Sequence, residues 1–213
     1  MLVLGLDPSL TNFGWALHNS SAEGVDRCPG RGRFQTPSKM VFIDRYVYMR
    51  DSLQGLIQDH KPDFVGIEYP VFNDLWSEGM YGLFLYSCEA LKAEKIDVVF
   101  FSPMQVKAHA RLSLDRPKGW KMLKGDMVDA AKHDAGGKGR WNHNEADAYL
   151  VARTAARFWQ LHQGQIDESE LTEPERKQFT RIHTFQRGKK AGETVRKGIL
   201  FRESERFFRW SKL

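Results

Sequence analysis

Leu2-Val3-Leu4-Gly5-Leu6-Asp7-Pro8-Ser9, followed by Asn12-Phe13-Gly14-Trp15-Ala16-Leu17, is an apolar strand that ends on a carboxylate and returns as a second strand. A strand end gives the acid a rigid backbone, and the neighbouring turn leaves its oxygens open to a ligand. The arrangement recurs twice. Glu68 ends the apolar run Phe64-Val65-Gly66-Ile67, and Asp147 lies in Asn144-Glu145-Ala146-Asp147-Ala148 at the start of an apolar helix. Each acid also has a plainer reading. Asp7 before Pro8-Ser9 can brace a turn. Glu68 resists such a reading, because glutamate disfavours strands and is rarely buried unpaired. A buried Asp147 needs a partner, and a metal ion is an efficient one.

Around this motif the pattern predicts strands over 2–7, 12–18 and 32–36 as an antiparallel meander. A helix capped by Ser38 and running to about 60 follows, with Met40, Ile43, Val47, Leu53 and Leu56-Ile57 on its buried face. Strand 64–68, a helix over about 74–95, strand 97–101 and a helix opened by Ser102-Pro103 then switch the order to β-α-β-α. A loop over 111–121, a helix over about 123–134 and a last helix over about 144–162 complete the core. Apolar strands separated by helices imply an α/β fold whose central sheet is covered on both faces. Residues 1–162 are expected to form the domain, and 163–213 a linker and a basic aromatic extension in hairpin form.

The 213 residues suit one sizeable core. No apolar run reaches the roughly 20 residues of a membrane helix, and no leader pattern follows Met1, so a cytoplasmic protein is expected. Cys28 and Cys88 lack paired-thiol spacing, which argues against a disulfide framework or a thiolate zinc site. The net charge of +5 is unevenly spread. Residues 171–213 hold twelve Lys/Arg against five Glu, a net +7, whereas residues 1–170 hold 20 against 22, a net −2. A basic segment joined to an acidic-site domain points to a polyanion partner. Phe179, Phe185, Phe201, Phe207, Phe208 and Trp210 interleave with its arginines, which suits either backbone binding with aromatic support or a strap packed on the core.

Carboxylates from two strand ends and a helix start can converge on one point, as hard divalent ions require. Two such ions about 4 Å apart activate a water and stabilise the leaving oxygen of a phosphodiester. The residues therefore read as a site for metal-dependent phosphodiester hydrolysis. Asn144 shares a helix face with Asp147 and is either a ligand or the helix N-cap. His143 is either a solvated helix-start residue or an aid to proton transfer, and Glu145 is expected to face elsewhere.

In order and context these residues resemble the RuvC-type Holliday junction resolvases of the RNase H-like nuclease superfamily. The resemblance rests on Gly5-Leu6-Asp7-Pro8-Ser9 with Gly14, Ile67-Glu68, Ser102-Pro103-Met104-Gln105-Val106-Lys107 and Asn144-Glu145-Ala146-Asp147-Ala148, and covers about residues 1–160. It implies a five-stranded mixed sheet with helices on both faces, two Mg²⁺ or Mn²⁺ ions on Asp7, Glu68 and Asp147, and a homodimer that nicks opposed strands of a four-way DNA junction. The family usually carries a fourth ligand, often an acid and sometimes histidine, where this chain has Asn144; an amide oxygen coordinates without adding charge. Lys107 and Lys124 match basic positions used near scissile phosphates, with solvated helix-end lysines as the plain reading. Phe72 and Trp76 follow Glu68, where the family presents an aromatic to the crossover; they either stack on an opened base or pack on the next helix. Lys189 and Lys190 in the tail are candidate DNA contacts. Met80, Leu83, Phe84 and Leu91 form a helical stripe that serves the core, a dimer face or both. The compact chain also suggests a phage or mobile-element member.

Three rivals stand beside this reading. Actin- and sugar-kinase-like ATPases share the first turn but need a second phosphate-loop domain, so no nucleotide cofactor is expected. A junction-binding protein impaired at Asn144 would not cleave. A nuclease for flaps, other branched DNA or RNA-containing duplexes would keep the same chemistry.

Overall fold

The computed structural model describes residues 1–69, 78–137, 139–179, 182–184, 191–192, 194–201 and 209–212, with 78, 182–184, 194–201 and 209–212 described by backbone alone. Strands β1 (Leu2–Asp7), β2 (Asn12–Asn19) and β3 (Arg31–Gln35) form the antiparallel meander, and β4 (Phe64–Glu68) and β5 (Val98–Phe101) add in parallel. The order β3-β2-β1-β4-β5 makes the mixed five-stranded part of a sheet that three C-terminal strands continue to eight. Its two faces bury different residues because side chains alternate along a strand. Leu4, Leu6, Val65 and Ile67 pack under α1 (Phe42–His60) and α2 (Glu78–Ala93). Val3, Phe64, Val99 and Phe101 pack under α3 (Pro103–Ser113), α4 (Lys124–Asp134) and α5 (His143–His162).

Local signals account for most boundaries. Ser102 and Gln105 form a reciprocal capping box with Pro103 in the first turn of α3. Lys61, in the left-handed region at φ 47°, closes α1 with its N–H on the Ile57 carbonyl. Asp63 then accepts the Leu2 N–H at 2.7 Å, which ties the helix exit to the first strand.

Two helix starts differ from expectation. Helix α1 begins at Phe42, because the buried Arg45 guanidinium donates to the Met40, Pro37 and Ser38 carbonyls and holds 37–41 as a turn. Ile43 is consequently exposed, and the buried face is Arg45, Met49, Leu53, Leu56 and Ile57. Helix α5 is capped by Asn142, not Asn144: its side chain accepts the Asn144 N–H at 2.9 Å while Glu145 accepts the Asn142 N–H at 3.4 Å. In the Met80 stripe, Leu83, Phe84 and Leu91 are buried core, and Tyr81 and Leu85 are exposed large apolar residues of α2.

Residues 163–177, read as a linker, carry a 3-10 turn (Glu168–Glu170) and the start of α6 (Glu173–Phe179), with Leu171, Glu175 and Phe179 buried. Beyond it, β6 (Ile182–Thr184) and β7 (Thr194–Phe201) pair as an antiparallel hairpin. β7 also pairs with the edge of β5, and β8 (Arg209–Lys212) pairs with β7. No helix among the described residues is long and apolar enough to cross a membrane.

Candidate active site

Because β1 and β4 are parallel neighbours with Leu6 opposite Ile67, Asp7 and Glu68 emerge side by side at one sheet edge. Helix α5 supplies Asp147 to the same edge by lying almost on the strand backbones. A Cβ at Gly5 would sit 1.9 Å from the Ala148 carbonyl oxygen, one at Gly14 would sit 2.3 Å from the Asn144 carbonyl oxygen, and one at Gly66 would sit 2.7 Å from the Ala155 Cβ. Glycines on three adjacent strands thus make the track in which the helix rests. Glycine inside a strand often marks such a close backbone approach, and that signal was present in the sequence.

The three carboxylates feel one another. Burial first, and then the Glu68 and Asp147 charges, push the Asp7 carboxyl well above its usual range, with Lys124 opposing. Burial and Asp147 raise Glu68 to about 7, opposed by Lys107. Burial raises Asp147 to about 6 against Lys107 and Lys124. The Asp147 Oδ1 atom is buried with no hydrogen-bond partner. Among the described residues, no three His, Cys, Asp or Glu side chains close into a ready-made chelate. An ion held here would therefore complete its shell with water or substrate oxygens, as magnesium commonly does.

These shifts set a pH dependence. A native carboxyl with a raised pKa keeps protons that the unfolded chain releases, so its contribution is present below the unfolded range and lost as pH rises through the folded pKa. In metal-free buffer the three acids are expected to pull the unfolding midpoint down as pH rises from about 4, near the ordinary values of 3.8 and 4.5, to about 7. The buried His18 and His109, which burial lowers to about 4 and about 3, pull it up over the same interval. Thermal unfolding of the wild type beside Asp147→Asn isolates the acids: the variant should gain on the wild type as pH rises, and a constant difference would show that the acids are not charge-crowded.

Lys107 on α3 and Lys124 at the start of α4 both act electrostatically on this edge and are solvent-exposed, as their proposed match to phosphate contacts requires. Asn144 is also beside the site, with its Nδ2 donating to the Asn12 carbonyl at 2.6 Å, so its amide clasps the start of β2 to α5. Glu145 faces away, paired with Arg31 at 3.4 Å and Arg33 at 3.6 Å. Burial, followed by the Lys124 and Arg33 charges, lowers the His143 pKa. Phe72, Trp76, Lys189 and Lys190 lie outside the described residues. Sequence reasoning passed over Arg31 and Arg33, which reach Glu145 at the start of α5 only through the strand pairing of β3 with β2.

No family model matches the sequence. A stretch of 74 residues is 34% identical to the crossover junction endodeoxyribonuclease RuvC of Sphingopyxis alaskensis, covering 35% of this chain and 47% of that protein. RuvC of Halothermothrix orenii matches at 32% over 73 residues, 34% of this chain and 44% of its own length. The chain thus spans just under half the length of these curated relatives. Thermus thermophilus RuvC, solved in complex with a Holliday junction substrate, superposes with a TM-score of 0.65 over 76% of this chain and 96% of its own, at 18% identity. The yeast mitochondrial Holliday junction resolvase Ydc2 superposes at 0.51 over 76% and 82%, at 14% identity. The α/β fold is therefore the one that these two solved structures share. RuvC is the protein to which both the sequence matches and the structural superposition point, and the resemblance to RuvC-type resolvases is borne out.

Proposed function

We propose that this chain is a metal-dependent, structure-selective endodeoxyribonuclease that resolves four-way or branched DNA by paired symmetrical nicks. The observation that carries the reading is the crowding of Asp7, Glu68 and Asp147 at one sheet edge, each carboxyl raised and one Asp147 oxygen without a partner. Such a cluster is costly without a cation, so the residues fit divalent ions, Mg²⁺ or Mn²⁺, two per site. When bound, the ions supply an activated water and charge neutralisation at the leaving oxygen.

The chain's own residues supply the rest. Asp7 and Glu68 hold fixed positions because both are strand ends of one rigid sheet, and Asp147 is set against them by the glycine track. Asn144 contributes an uncharged amide oxygen, its orientation fixed by the Asn12 clasp. Lys107 and Lys124 hold the phosphates on either side of the cut; Phe72 and Trp76 stack on opened bases; Lys189 and Lys190 extend the phosphate contacts. A homodimer pairs two such sites on opposed strands. Its face is supported by Val41, Phe42, Ile43, Tyr48, Tyr81 and Leu85, large apolar side chains left exposed on and beside α1 and α2.

The test is a labelled four-way junction beside a matched linear duplex, each with Mg²⁺, Mn²⁺ or EDTA, with the nicks mapped. Symmetrical metal-dependent nicks confined to the junction are expected. Binding without cleavage in either metal would leave a junction-binding protein; cleavage of flaps or RNA-containing duplexes in preference would move the substrate within the same chemistry.

A further inference from the structure

Next to the carboxylates, edge strand β3, the start of α4 and the segment leading into α5 enclose a groove of about 720 Å³. It lies beside the acidic edge: His143 and Glu145 line it from the first turn of α5, one turn before Asp147, and Lys124, which also lines it, acts on Asp7 and Asp147. Arg33, Lys124 and Arg140 line it from those three separate elements, against two acids in the lining, Asp129 and Glu145. Lys124 and Arg140 are exposed and form no ion pair among the described residues.

The groove is braced from beneath. The Arg31 guanidinium lies 4.0 Å over the Trp141 ring, and Trp141 in turn packs edge-on against Tyr149 at 5.4 Å. Arg31 and Arg33 share Glu145, which removes that acid as a repulsive charge and fixes both guanidinium groups. Cations on three elements around an open floor suit a run of phosphates. A single small anion would gain less, because the neighbouring carboxylates repel it and no polar pocket closes around it.

From this we infer that the groove carries the phosphodiester backbone of the DNA strand running away from the cut, with Arg140 and Arg33 as its phosphate contacts beyond Lys124. The inference rests on the proposed nuclease reading and extends it. Arg140 is the better probe because its exposure and lack of an ion pair leave the fold independent of it, whereas Arg33 also holds Glu145.

The experiment measures binding of a fluorescent four-way junction in EDTA, from about 50 to about 200 mM NaCl, for the wild type, Arg140→Ala, Arg140→Glu and Arg50→Ala on α1, which packs on the opposite face of the sheet. Arg140→Ala should reduce the slope of log affinity on log salt by about one, and Arg140→Glu should weaken binding roughly tenfold or more, while Arg50→Ala behaves as wild type. Wild-type affinity and slope for both Arg140 variants would overturn the groove assignment and leave the nuclease reading intact. A wild-type protein that does not bind the junction would overturn that reading, and the groove with it.

Discussion

Asp7→Asn should lower junction cleavage by roughly a hundred- to a thousandfold, the scale on which loss of one charge-stabilising group acts in a preorganised site. The substitution keeps the shape of the side chain and the strand end that positions it, so binding of the junction in EDTA should persist. It also removes one of three mutually repelling carboxylates, whose crowding with Glu68 and Asp147 raises the Asp7 pKa. The variant should therefore melt at a higher temperature than wild type in EDTA at neutral pH and lose the further stabilisation that Mn²⁺ confers on the wild type. These three readouts separate a metal ligand from a turn brace. Loss of a brace would lower the melting temperature, and wild-type cleavage by the variant would remove Asp7 from the site.

The second large effect concerns the track under α5. A methyl at Gly5 would meet the Ala148 carbonyl oxygen at 1.9 Å, the Ala152 nitrogen at 2.5 Å and the Ala152 Cβ at 2.8 Å. Two of these atoms are helix backbone, so no rotamer change relieves the contact and the helix must lift from β1. Overpacking a core typically costs about 1–3 kcal/mol, and the rigid partners place Gly5→Ala at or above the top of that range. Against a typical stability of about 5–15 kcal/mol, that is a large fraction. Lifting α5 also moves Asp147 away from Asp7, so cleavage should fall beyond what the stability loss explains. Gly55→Ala is the control: it lies inside α1 with nothing within 4 Å of the added methyl, and should stabilise by about 0.4–1 kcal/mol. Urea denaturation of both variants decides the matter, and a wild-type midpoint for Gly5→Ala would show that the helix has room to shift.

Much of this architecture was legible in the chain because the signals are local. Leu2–Asp7 alternates no polar residue into its run, so burial on both faces followed, and the acid at its end stood out. Ser102, Pro103 and Gln105 spell a helix start within four residues, and the structure uses each of them. The start of α1 was less legible. Ser38 carries the local signature of a cap, but Arg45 folds back across the preceding turn and takes the carbonyls that would have opened the helix. Burying that arginine is possible because its guanidinium finds three carbonyls in one compact turn and a fourth, that of Leu10, outside it, which no spacing rule reports. Asn144 was likewise open between ligand and helix cap, because helical spacing alone does not say where the first turn begins. The structure gives the cap to Asn142 and leaves Asn144 to hold Asn12, 132 residues away in sequence.

The sequence by itself determined the α/β order, the strand ends on which Asp7 and Glu68 stand, the helix that bears Asp147, and the family resemblance these motifs carry. Those features depend on residue periodicity and on turn and cap chemistry within a few positions. Only the tertiary structure decided that the three acids crowd into one site with raised pKa values, that Glu145 is withdrawn by arginines from β3, and that Arg33, Lys124 and Arg140 frame one groove. The physical reason is that desolvation and charge coupling depend on distances through space. Those distances were set where three glycines let α5 lie directly on the sheet.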